Sequence, residues 1–289
     1  MFETMSRSWE FAKTSYGLLW RHKTLLLFPL LSFAAAMLVT LSFALPLWQT
    51  GTLEQWFRFV GDEGGGSRAD AALYITAFLF YFCNYLVIVF CNTALVANTF
   101  AVFRDERPSL GYGFRFAMKR LPQICAWAFV SAIVGVVLKA VERSNKRAGA
   151  FVAAILGGAW TALTYFVVPI IVLDGVGPVE AFKRSVATLK RTWGTALLGN
   201  FSLGFLGFLI ILPVLLVAGA LFWAAATAGS GPGMVGAGLL TVALIVLWAA
   251  ATSAADAIFK GVLFSYATNR TMPENIDSSM LQDAFRESR

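Results

Sequence analysis

Apolar residues run almost unbroken in six places along the chain: Thr24 to Trp48, Ala71 to Phe103, Leu121 to Leu138, Gly149 to Leu173, Thr195 to Ala228 and Met234 to Thr268. A helix rises about 1.5 Å per residue and needs roughly 20 apolar residues to cross the hydrocarbon core of a bilayer. Each run meets or approaches that length. Lipid offers the backbone no water to bond, so a spanning segment must be a helix or part of a closed barrel. The pattern predicts an all-α, polytopic membrane protein with six transmembrane helices in three hairpins. The first run is longer than the ~7 to 15 apolar residues of a secretory signal, and Glu3 and Glu10 precede it, so it reads as a retained helix.

Between the runs the period changes. In VPIIVLDGVGPVEAFKRSVATLKRTWG, Val168 to Gly194, the residues Val179, Phe182, Val186, Leu189 and Trp193 recur at steps of three and four. That spacing puts them on one helical stripe, with Glu180, Lys183, Arg184, Lys190 and Arg191 mainly on the other side. Gly175, Gly177 and Pro178 mark a bend, and Pro178 suits the first helical position because no backbone donor is needed there. The expectation is a short amphipathic helix that starts where the span ends and lies on the cytoplasmic surface.

The device recurs. Aligning Arg184-Ser185 with Arg7-Ser8 brings Lys190 over Lys13, Trp193 over Tyr16 and Gly194 over Gly17. A weaker copy, PSLGYGFRFAMKRLPQ, matches Lys119-Arg120 to Lys190-Arg191, and Gly111 and Gly113 make it the least secure helix. The chain therefore reads as three units, each an interfacial amphipathic helix followed by a transmembrane hairpin. The acidic segment PENIDSSMLQDAFR looks like the start of a fourth.

Composition narrows the class further. Of 289 residues, 58% are apolar and 13% charged, against about a quarter charged in soluble domains, so the whole chain is taken as one integral membrane domain, 1–289. Cations cross the membrane poorly during insertion, and most Lys and Arg fall on one side if both termini are cytoplasmic. The hairpin cluster Lys139, Arg143, Lys146 and Arg147 breaks that rule, and snorkelling to the outer interface would account for it. The expected location is a bacterial cytoplasmic membrane, multi-pass.

Catalytic chemistry finds little support. The single histidine, His22, sits between Arg21 and Lys23, so clustered metal ligands and a hydrolase base are both missing from the sequence. No phosphate loop or dinucleotide fingerprint occurs. Cys83, Cys91 and Cys125 fall within spans and read as packing residues. The sequence thus predicts a non-enzymatic protein with no cofactor and no metal. The partners expected are membrane lipids of anionic type, together with a membrane-protein partner or a second copy, and no nucleic acid.

Two sets of residues carry the functional expectation. The lipid-headgroup candidates are Arg7, Lys13, Lys119, Arg120, Lys183, Arg184, Lys190 and Arg191, basic residues beside spans where phosphates lie. The intramembrane polar candidates are Asn84, Asn92, Asn98, Asn200, Asp256 and Lys260, with Asp256 and Lys260 one turn apart and able to pair. The first set favours a membrane-organising or accessory protein. The second admits a small transporter or channel, although amides also hold helices together.

RSWEFAKTSYGLLWRHKTLLLFPLL, FCNTALVANTF, LPQICAWAFVSAIVG, VVPIIVLDGVGPVEAFKRSVATLKRTWG and GNFSLG together resemble an uncharacterised bacterial family of six-pass membrane proteins. The join from Val168 to Gly194 also resembles the membrane domain associated with some glycerophosphodiester phosphodiesterases. Both resemblances imply an architecture. Neither supplies catalytic residues, because the phosphodiesterase active site belongs to a separate domain.

Overall fold

The structure, a computed structural model, describes residues 15–61, 71–144 and 148–268; at 58–61, 71, 144, 193–206 and 210 it describes the backbone alone. Arg7, Lys13, Lys146, Arg147, the acidic C-terminal segment and the side chains of Trp193 and Asn200 lie outside that description. Among the described residues there is no strand.

Residues 15–21 are helical and a 3-10 turn, Lys23–Leu26, leads into α1, Leu27–Gln49. Then follow α2 (Leu53–Gly61), α3 (Ala71–Phe103), α4 (Leu110–Lys119), α5 (Leu121–Ser144), α6 (Gly149–Leu163), α7 (Val167–Asp174), α8 (Pro178–Thr227) and α9 (Gly231–Ala267). Among the described residues, six stretches are long and apolar enough to cross a membrane: Lys23–Gln49, Ala72–Phe103, Leu121–Arg143, Gly149–Asp174, Gly207–Thr227 and Gly231–Ala267. They overlap the six runs read from hydropathy, the fifth starting at Gly207 rather than Thr195. α1, at 23 residues, is about 35 Å long and exceeds the ~30 Å hydrocarbon thickness without help from its neighbours.

Two compact units interleave along the chain: Met1–Leu30 with Asn98–Leu110 and Arg191–Arg289, and Leu31–Ala97 with Gly111–Lys190. In the second unit α5 and α6 form a close hairpin. A Cβ added to Gly149 would strike the carbonyl oxygens of Glu142 and Val141, so only glycine lets α6 start so near the end of α5. In the first unit the 3-10 turn packs on α9, and Gly261 of α9 admits Thr99, whose methyl carbon would lie 3.3 Å from an added Cβ.

Three features depart from the pattern read above. The fourth span is broken: Thr164–Phe166 form a turn between α6 and α7, although hydropathy runs through them without a mark. The segment after Pro178 is not a separate short helix but the start of α8, a continuous 50-residue helix. Nothing between Pro178 and Gly194 forbids continuation, since a lone glycine weakens a helix by only about 1 kcal/mol. The connection between the first two spans also contains a helix, α2, that the apolar runs did not mark. α4 forms despite its two glycines, and Gly113 is buried.

Candidate functional site

The join that opens α8 is built in the second unit from three cationic or amide side chains converging on the end of α7. Gly175 caps α7 at φ 64°, the left-handed region where a side chain is strained, and its N–H donates to the Ile171 carbonyl at 3.1 Å. The guanidinium of Arg120 lies against Gly175, where a Cβ would collide with it. A cation there also meets the negative end of the α7 dipole. Gln123 donates from Nε2 to the Gly175 carbonyl at 3.1 Å. Arg184 then spans the bend, donating from Nη1 to Asp174 Oδ2 and from Nε to Glu180 Oε1, each at 2.8 Å. Pairing with Glu180 first, then Asp174, raises the Arg184 guanidinium above its ordinary value.

Arg120 and Arg184, both read from sequence as headgroup cations, are therefore brought together as the fasteners of one joint. Lys119, Lys183, Lys190 and Arg191 behave differently. All four are exposed, and none forms an ion pair among the described residues.

The face that α8 buries also differs from the one expected. Ala181 and Ser185 are fully buried, Leu189 is 4% exposed and Thr192 1%, whereas Val179 is 66% exposed. With about 100° per residue, the buried line lies roughly 80° round the helix from the Val179, Phe182, Val186, Leu189 and Trp193 stripe. Phe182 is half-buried. It stacks on Trp160, which stacks in turn on Trp127, with centroids 5.7 and 5.6 Å apart. Ser185 explains the rotation: its hydroxyl donates to the Leu163 carbonyl at 2.7 Å and accepts from the Phe166 N–H at 3.1 Å, bridging the break in the fourth span. Broken backbone at membrane depth persists only where protein or water satisfies it. On the resulting helix, Lys183 and Lys190, seven residues apart, fall within about 20° of one line, at the edge of a strip formed by exposed Val179 and half-buried Val186.

The polar candidates are mostly tied locally. Asn84 donates to the Phe80 carbonyl of its own helix at 2.9 Å, and Asn98 accepts from the Ser109 N–H at 2.8 Å, pinning the loop before α4. Asp256 Oδ2 and Lys260 Nζ stand 2.7 Å apart, the pairing their spacing anticipated. Asp256 Oδ1 is buried and has no hydrogen-bond partner among the described residues. Asn92 is half-buried. Around Gly207 a knot absent from the sequence reading forms in the first unit: Trp248 Nε1 donates to the Gly207 carbonyl at 2.8 Å, and Tyr16 donates to Thr252 Oγ1 at 3.3 Å. Burial, and then the nearby Asp256 carboxylate, push the Tyr16 phenol up, partly offset by its bond to Thr252. Trp248, Thr252, Asp256 and Lys260 share a spacing of four, the only signal that could have joined them in advance. Lys139, from the basic hairpin that broke the orientation rule, is also bonded: its side chain is 11% exposed and its Nζ lies 3.0 Å from Glu142 Oε2.

Six apolar helices of spanning length, with basic residues gathered at the joints between them, define a polytopic α-helical membrane protein. The chain belongs to a family of unknown function (DUF6159), which it matches over residues 71–272. No curated protein and no solved structure matches it.

Proposed function

We propose that this is a non-enzymatic protein of the bacterial cytoplasmic membrane, both termini inside, that organises or assists membrane components by engaging anionic lipid through exposed cations. The observation that carries this reading is the division of labour at the α7–α8 joint. Arg120 and Arg184 fasten the bend, while Lys119, Lys183, Lys190 and Arg191 stand exposed without ion pairs among the described residues. Lys183 and Lys190 flank apolar surface, the arrangement in which a stem lies on lipid and the ammonium meets phosphate. Arg7 and Lys13, the headgroup candidates of the N-terminal copy, lie outside the described residues. The resemblance to the membrane domain that accompanies some phosphodiesterases supports an accessory role beside another membrane protein.

The experiment replaces Lys119, Lys183, Lys190 and Arg191 with Gln and compares thermal stability in bilayer discs of neutral phosphatidylcholine and of mixed anionic phosphatidylglycerol. The wild type gains stability from anionic lipid and the variant loses that gain, on the order of 1 kcal/mol per cation at low salt. Arg184→Gln, by contrast, destabilises in both lipids. Equal behaviour of the quadruple variant in the two lipids would overturn the proposal. Among the candidate polar residues, the transport alternative draws support from the buried Asp256 Oδ1; the local bonds of Asn84, Asn98 and Lys260 count against a continuous polar path.

A further inference from the structure

The first loop carries a surface that neither reading uses. α1 closes through bonds from Thr50 N to the Pro46 carbonyl at 3.0 Å, Gly51 N to Trp48 at 3.1 Å and Thr52 N to Leu47 at 2.9 Å, with Gly51 at φ 69°. That turn sets α2 beside the first turns of α3. Trp56 is 9% exposed and packs with Leu47, Leu73, Tyr74, Ala77 and Phe80, its ring 5.7 Å from that of Phe80. The next residue cannot share the contact, since one step along a helix turns it by about 100°. Phe57 is 62% exposed, and Trp48, at the end of α1, is 69% exposed. Gln55, two residues from Phe57 and so on the opposite side of α2 from it, is also exposed. The apolar arc of α2 is therefore wider than the protein that covers it.

We infer that α2 is a second membrane anchor, lying in the headgroup boundary at the end of α3 remote from α4, with Phe57 and Trp48 inserted into lipid. Several observations select lipid as the occupant. Both rings stand where a 23-residue apolar helix ends, the level at which aromatic side chains collect in bilayers. An interfacial helix buries its apolar face about 5–10 Å into that boundary, a depth aromatic rings reach. Glu54 and Arg58 cancel in sequence, so this anchor has no preference for anionic headgroups, unlike the lysines of the α7–α8 joint.

The test places a nitroxide at Phe57→Cys or Gln55→Cys, in protein whose Cys83, Cys91 and Cys125 are alanine, reconstituted in phosphatidylcholine. Collision with oxygen, which concentrates in lipid, is compared with collision with a water-soluble nickel chelate. Position 57 is expected to give a ratio several-fold higher than position 55, unchanged when phosphatidylglycerol is added. Equal ratios would place α2 in water and overturn the inference. Protection of position 57 from both reagents would mean that protein, such as a second copy, covers it, and would overturn it equally. Should the cysteine-free background not fold, Phe57→Asp against Gln55→Asp in the native background serves instead. The first lowers the midpoint in neutral bilayers more than the second, and equal shifts would reject the anchor.

Discussion

Ser185→Ala isolates the one side chain that holds the broken fourth span together. The serine is fully buried, and its hydroxyl makes two bonds to backbone on either side of Thr164 and Tyr165: it donates to Leu163 O at 2.7 Å and accepts from Phe166 N at 3.1 Å. Alanine has nearly the same volume, so no cavity of consequence opens and the change reads the bonds alone. Buried hydrogen bonds contribute about 0.5–1.5 kcal/mol each in soluble proteins, and coupling energies in membrane helices average ~0.6 with a ceiling near 1.7. Two bonds together put the expected loss at roughly 1–3 kcal/mol. Reversible unfolding in mixed micelles measures it, with an unchanged denaturant slope showing that the native state is not otherwise loosened. Thr161→Ala is the control, because that hydroxyl donates at 2.9 Å to Gly157 of its own helix from an exposed position. A loss at Ser185 below about 0.5 kcal/mol, or no greater than the control, would mean that the turn satisfies itself and that packing alone sets the face of α8.

Other perturbations follow from the same geometry. Gly149→Ala forces a methyl onto the Val141 and Glu142 carbonyls and should cost about 1–3 kcal/mol, whereas Gly158→Ala, with nothing within 4 Å, should be neutral or slightly stabilising; paired thermal melts decide it. Gly175→Ala imposes a left-handed φ of 64° on an L residue and displaces Arg120, so a loss of about 1–2 kcal/mol is expected, and a cycle with Arg120→Ala should show the two non-additive. Tyr16→Phe removes the bond to Thr252 and should cost about 0.5–1.5 kcal/mol at neutral pH. Because the folded phenol is raised above 10.0, its contribution is whole below that value and lost as pH climbs through the folded pKa; the variant should therefore show a shallower alkaline decline, read from melting midpoints against pH.

The spans were legible because lipid imposes a one-dimensional requirement: enough consecutive apolar residues to bridge a fixed thickness. The same rule made Asp256 and Lys260 readable, since both partners lie on one helix at a fixed spacing. Amphipathic faces were less secure. Hydropathy counts Ala181 and Ser185 as small or polar and Val179 as apolar, yet the small residues are buried and the valine is 66% exposed. In a soluble protein an exposed valine stripe would have been turned inward, but lipid accepts it, so hydropathy alone does not say which apolar side faces protein.

Sequence by itself thus determined the helical class, the six spanning lengths, the bend at Gly175 to Pro178 and the presence of basic residues at the joints, all properties of local covalent and solvation chemistry. Tertiary structure alone decided which cations fasten and which stay free. Arg120 and Gly175 stand far apart in the chain, and the same is true of Tyr16 and Thr252; no local rule announces that they meet. The break at Thr164–Phe166 has the same character: the apolar run continues on both sides of it, and the serine whose hydroxyl bonds the backbone there comes from another helix.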